Sequence, residues 1–251
     1  MSVQALAGKT VVVTGAGRGL GAAFSSVLTE LGARVIMTGR NPEALGATAE
    51  AIRARYGSRP RTEHLDLSDP GEVTRWAKGM RDVGEPVDVL INNGAQWLTG
   101  PMDSHDAYAI VSTITSGVTG TLLLTRGLLP LLEASGAGDI LTIVSTAGLP
   151  NASLSGTSIA FLAAKHGQAG MVDGLRQELK DRPVRVSAIY PPNLDDLTPL
   201  EPDAWDAERG PVARANNRDV IDAALFILTR PRHLTFASIV IDSSADGQQP
   251  S

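Results

Sequence analysis

The stretch "TGAGRGLG", Thr14 to Gly21, follows the β-branched run "TVVVT" and opens a segment of helical period. Glycines in such a place permit a tight turn and let backbone N–H groups at a helix N-terminus approach a pyrophosphate that a Cβ would hold away. Gly15, Gly17, Gly19 and Gly21 are the candidates for that approach, with Arg18 and Leu20 between them. A second place for chemistry is "SIAFLAAKHG", Ser158 to Gly167. Lys165 sits there on an apolar helix face among Ala163, Ala164 and Gly167, a setting that suits a functional ammonium better than a solvated one. One helical turn earlier on the same face stands Phe161, whose ring has no proton to give.

These residues need elements to hold them, and the chain supplies an alternating series. Short β-branched runs ("TVVVTG", "RVIMTG", "TEHLDL", "VDVLINN", "DILTIVS", "VRVSAIY", "ASIVID") alternate with helical segments at 20–31, 42–56, 70–80, 108–133, 159–180 and 219–228. Seven strands and six helices in that order predict an α/β, Rossmann-like doubly wound parallel sheet flanked by helices. No low-complexity linker divides the 251 residues, so the reading is one dinucleotide-binding domain over 1–251. The Pro- and Asp-rich stretch from Pro191 to Arg214 reads as a lid over the strand ends.

Composition narrows the partners. The 22 basic and 27 acidic residues give a net charge of -5 without a long single-sign run, which argues against nucleic acid and anionic membranes and for a small-molecule substrate. There is no Cys, and the four His are far apart, so no metal site is expected. "MSVQALAGK" leads straight into an apolar strand, and "TLLLTRGLLPLL" carries Arg126, Gly127 and Pro130, which are expected to break it. The expectation is a cytoplasmic protein with no bilayer span.

Gly15, Gly19 and Gly21 fit TGxxxGxG, and "LDLSD" at 65–69, "NNGA" at 92–95, "IVSTAG" at 143–148 and Lys165 follow in order. Over roughly residues 6 to 247 the chain resembles the short-chain dehydrogenase/reductase family. The resemblance implies that Asp66 and Leu67 contact adenine, that Asn93, Gly94 and Ala95 run beside the adenosine ribose, and that Lys165 and Pro191 lie near the nicotinamide end. At the end of the second strand Gly39 stands where an NAD-preferring protein places an acid, and Arg40 follows it. With Arg18, Arg40 offers guanidinium groups to a 2′-phosphate, so the expected cofactor is NADP(H).

The family pattern also implies a catalytic Ser, met by Ser145, and a Lys, met by Lys165. Its Tyr position is Phe161 and its relay Asn position is Gly117. Ser145 and Phe161 are three residues further apart than usual, the family's NNAG is transposed, and its Pro-Gly is Pro191-Pro192. The cofactor half thus reads as intact and the chemical half as rebuilt. Substitute proton donors considered are Thr157, Ser158, Tyr190, Asp195 and Asp196, while Trp97, Leu98, Met102 and Trp205 could wall an apolar pocket. Three functions fit: an oxidoreductase acting on a hydroxyl or carbonyl group, a non-redox catalyst of dehydration, cyclisation or isomerisation, and an NADP(H)-binding sensor. The helices at 119–132 and 159–179 carry Leu clusters and small-residue faces, which with the resemblance implies a homodimer or homotetramer.

Overall fold

The computed structural model describes residues 3–153, 156–210 and 213–242. Strand and helix alternate from the first apolar run: β1 (Thr10–Thr14), α1 (Gly19–Glu30), β2 (Arg34–Gly39), α2 (Pro42–Tyr56), β3 (Arg61–His64) and α3 (Pro70–Val83). β4 (Val89–Asn92) is followed by α4 (Ala107–Ile114), a π-helical segment (Thr115–Gly120) and α5 (Thr121–Ala134). Then come β5 (Gly138–Ile143), α6 (Ile159–Glu178), β6 (Val184–Tyr190), the short α7 (Pro202–Trp205), α8 (Asn217–Leu228) and β7 (Ser238–Val240).

All seven strands are parallel and lie in the order β3-β2-β1-β4-β5-β6-β7. The chain builds outward from β1 to β3 and then crosses back to start the other half at β4. That reversal leaves a crevice at the carboxyl ends of β1 and β4, where ligands of open α/β sheets bind. β1 and β4–β6 are buried along their whole length, as strands covered on both faces must be. One core, with Phe24, Leu28, Leu45 and Ile221, lies between the sheet and α1, α2 and α8. The other, with Val73, Leu124, Leu128 and Val172, lies under α3, α5 and α6.

Helix starts follow local chemistry. Asn41 and Asp69 accept from Ala44 N (3.0 Å) and Glu72 N (2.9 Å), each ahead of a proline in the first turn, and Gly57 and Gly84 close the same helices in the left-handed conformation. At the far end of the sheet Asp139 takes Arg185 at 2.7 Å and Arg232 at 2.8 Å, and Arg185 also donates to the carbonyls of Arg230 and Leu234. This network ties β5 and β6 to the segment before β7.

Several expectations change. "LDL" is not strand, because β3 ends at His64 and only Leu65 N reaches back, to Gly39 O. The six expected helices become eight among the described residues, because the 108–133 segment divides at the π-helical turn and α7 forms inside the lid-like stretch. Gly127 and Pro130 do not break α5. Gly127 instead lets α5 lie against Ala77 of α3, where a methyl group on it would come within 2.5 Å. The resulting run Ala107–Ala134, 28 residues containing an 18-residue stretch of mean hydropathy 1.4, is long and apolar enough to cross a membrane by length and composition. Leu124, Leu128, Leu131 and Leu132 of that run are buried in the protein core. Residues 211 and 212 of the lid-like stretch and residues from 243 on lie outside the described residues.

Candidate active site

A cleft of about 520 Å³ opens at the strand ends around the β1–β4 crevice. Gly15, Gly17, Arg18, Gly19, Leu20 and Gly21 form one wall, Gly39 and Arg40 the rim above β2, and Asp66, Leu67, Asn93, Gly94 and Ala95 the opposite side. Thirteen residues from four separate stretches of sequence thus meet in one cavity.

The glycines are demanded by close approach. A methyl group on Gly21 would lie 2.2 Å from Gly15 O, and one on Gly15, held at φ +65°, would lie 2.7 Å from the Gly94 Cα. The transposed "NNGA" therefore places a glycine where the β4 end meets the loop after β1. Asn93 locks this meeting, donating through Nδ2 to Thr14 O at 3.0 Å, while Thr14 Oγ1 accepts from the N–H groups of Asn93 and Gly94 at 3.0 and 2.8 Å.

The first turn of α1 is open to an anion. α2, α3, α4, α6 and α8 each begin with a side chain capping a backbone N–H, whereas Arg18 at the start of α1 makes no such bond. Uncapped N–H groups, a positive helix end and a glycine cradle form a seat for a phosphate group. Arg40 spans the rim through Nη1 to Gln96 Oε1 at 3.3 Å, and Gln96 also accepts from Ser112. Asp66 is engaged locally, its Oδ1 accepting from Ser68 N and Oγ.

Ser145, Phe161, Lys165 and Pro191 lie outside the lining of this cleft. Lys165, 5% exposed, donates through Nζ to Ile143 O at 3.1 Å and to Gln168 Oε1 at 2.9 Å, which draws it back against β5. Burial pushes its ammonium down to about 7. The Phe161 ring lies between Lys165 Nζ, 5.5 Å from its centroid, and the edge of Trp97, at 4.7 Å between centroids. Ser145 sits at φ 145°, a backbone region natural to glycine, and its Oγ accepts from Ala147 N at 3.1 Å. Pro191 is buried, with its carbonyl taking the Thr146 N–H, so the β6 end is tied to the turn after Ser145. Gly117, in the π-helical segment, faces Ala164, and a methyl group on it would meet the Ala164 Cβ at 3.0 Å.

A family model described as short chain dehydrogenase matches residues 9–209. The chain belongs to the short-chain dehydrogenase family. It is 28% identical to an uncharacterized oxidoreductase of Staphylococcus saprophyticus over 93% of its own length and 96% of the relative's. A metagenomic short-chain oxidoreductase solved in complex with NADP matches with a TM-score of 0.76 at 29% identity, covering 94% of this chain and 97% of that one. A short chain dehydrogenase from Escherichia coli CFT073 complexed with NADPH gives a TM-score of 0.79 at 26% identity, covering 94% and 98%.

In this short-chain dehydrogenase most of the substitute donors are otherwise employed. Ser158 Oγ caps α6 by accepting from Phe161 N at 3.1 Å, and Thr157 pairs with Thr99 in an isolated bridge. Tyr190 is buried in the core under α6, and Asp195 lies 3.7 Å from Arg214. Asp196 alone of the five lines the cleft. Of the suggested pocket walls Trp97 lines it, Trp205 packs beside the α1–α8 core, and Met102 is 64% exposed. The sequence reading missed Thr38, Gln96, Ser116, Leu194 and Asn217, which line the cleft, and Gln168, which holds Lys165. Only Gln168 carried a signal, as a polar residue three positions after Lys165 on the same helix face.

Proposed function

We propose that this short-chain dehydrogenase is an NADP(H)-dependent oxidoreductase acting on a hydroxyl or carbonyl group of a small organic molecule, with an atypical catalytic side. The observation that carries the reading is the cleft itself: an uncapped helix end in a glycine cradle, with Arg40 and Arg18 on its wall and no carboxylate at Gly39. In this reading Gly15 to Gly21 hold the diphosphate, Arg40 and Arg18 the 2′-phosphate, Asp66 and Leu67 the adenine side, and Asn93 to Ala95 the ribose. NADP(H), when bound, supplies or accepts the hydride. The stretch 191–214 closes over the site, the enzyme works in the cytoplasm, and it takes neither nucleic acid nor membrane as partner. Its test is a pair of titrations: NADPH binds more tightly than NADH, and Arg40→Asp reverses the order. Equal affinities in the unaltered protein overturn the reading.

A second reading, non-redox catalysis with the cofactor retained, is favoured by one feature. Phe161 stands in the family's Tyr position, wedged between Trp97 and Lys165, while Lys165 turns to Gln168. Carbonyl reduction needs a proton as well as a hydride, and a phenyl ring gives none; such a donor contributes about 10²–10⁴-fold in rate. Phe161→Tyr separates the two readings. NADPH oxidation with carbonyl substrates rises on the order of 10-fold or more if only the donor was lost. It stays flat if the site around it has been rebuilt, and the flat result is the one expected here, given Gly117 and Pro192 in the family's Asn and Gly positions.

A further inference from the structure

The anion seat at the start of α1 is faced by a carboxylate of the protein's own. A methyl group on Gly19 would meet Asp196 Oδ1 at 2.8 Å and Oδ2 at 3.0 Å, so the carboxylate rests against the glycine loop at the uncapped helix end. It is held there. Asn217, 1% exposed, donates Nδ2 to Asp196 Oδ1 at 2.9 Å and to Leu197 O at 2.8 Å, and Asp195 N bonds Ala215 O at 2.9 Å. The neighbouring Asp195 has Arg214 to balance it, whereas Asp196 forms no ion pair among the described residues.

An unbalanced carboxylate beside a phosphate seat does not assist anion binding. Like charges brought together repel, here across the open mouth of the cleft where the Asp196 carboxylate is exposed. We propose that Asp196 is a negative determinant of cofactor affinity: it stands beside the diphosphate seat as a fixed negative charge that opposes the dinucleotide. The inference rests on the NADP(H) reading of the cleft and adds a residue that sets how tightly the cofactor is held. Asn217 is its positioning residue, because its amide holds the exposed carboxylate against the loop.

Asp196→Asn removes the charge and keeps the shape, and Asp196→Thr serves as a second variant with a different side chain. NADPH affinity is read by the change in nicotinamide fluorescence and by calorimetry, alongside adenosine 2′-phosphate, which lacks the diphosphate. The expected result is NADPH binding on the order of 10-fold tighter in both variants, with adenosine 2′-phosphate unchanged. NADPH binding no tighter in either variant overturns the proposal, and so does an equal gain for adenosine 2′-phosphate, since the effect would then lie elsewhere in the cleft. The cofactor reading fails by a different result, equal affinity of the unaltered protein for NADPH and NADH.

Discussion

A lysine hidden from water carries its history in its titration. In the unfolded chain Lys165 keeps its proton up to about pH 10.4, whereas burial in the fold pushes the ammonium down to about 7. Between those values the unfolded state binds the extra proton, so this group makes stability rise with pH. The cost of burying the charge is fully present below about pH 7 and vanishes above the unfolded value. Lys165→Met keeps an unbranched chain and has no charge to bury, although Ile143 O and Gln168 Oε1 lose their donor. Compared with the unaltered protein, the Met variant therefore gains ground as pH falls from 10 to 7. Urea melts at several pH values measure that difference; a gap that stays constant shows that the ammonium is solvated in the folded state.

The elements differ in how far they announce themselves. α2 was legible from Pro42 to Tyr56 and α3 from its start at Pro70, although α3 runs on to Val83 past the expected end at 80; Asn41-Pro42 and Asp69-Pro70 mark where they begin. β6 matched its apolar run from Val184 to Tyr190, again a local signal. The π-helical turn was not legible, since its cause is contact with distant segments. Gly117 faces Ala164, and a methyl group on Gly120 would lie 2.0 Å from Leu67 O, so the helix widens where it meets its neighbours. The site divides in the same way. The glycine loop and Arg40 are contiguous signals, whereas Asp196, Asn217 and the retracted pose of Lys165 arise when separate elements pack and leave one rotamer free. Gly120→Ala forces the turn away from the loop before α3 and costs about 1–3 kcal/mol. Gly46→Ala in α2, where a methyl group meets nothing within 4 Å, stabilises by about 0.5–1 kcal/mol. Thermal melts of the two variants check the contrast, and equal losses in both contradict the packing account.

On the scale of the whole molecule, several exposed apolar side chains fall on α4, α5 and the start of α6. Tyr108 is 73% exposed, Val111 60% and Ile159 52%, with Ile114 and Leu122 beside them in sequence on α4 and α5. Apolar residues concentrated on helix faces of this kind suit association with a second copy. A dimer or tetramer is therefore the expected state at micromolar concentration in light scattering, and Val111→Glu shifts it toward monomer. A monomeric unaltered protein refutes the assignment. The cleft has another bearing on the molecule, through the order of the chain. Its walls draw on residue 15 at one extreme and residue 217 at the other, about 200 positions apart. On the NADP(H) reading, a nucleotide lodged between them would act as a removable clasp on a very long loop, joining the first strand–helix unit to the last. Unfolding must undo the clasp, so bound nucleotide stabilises the folded chain by an amount that grows with its concentration.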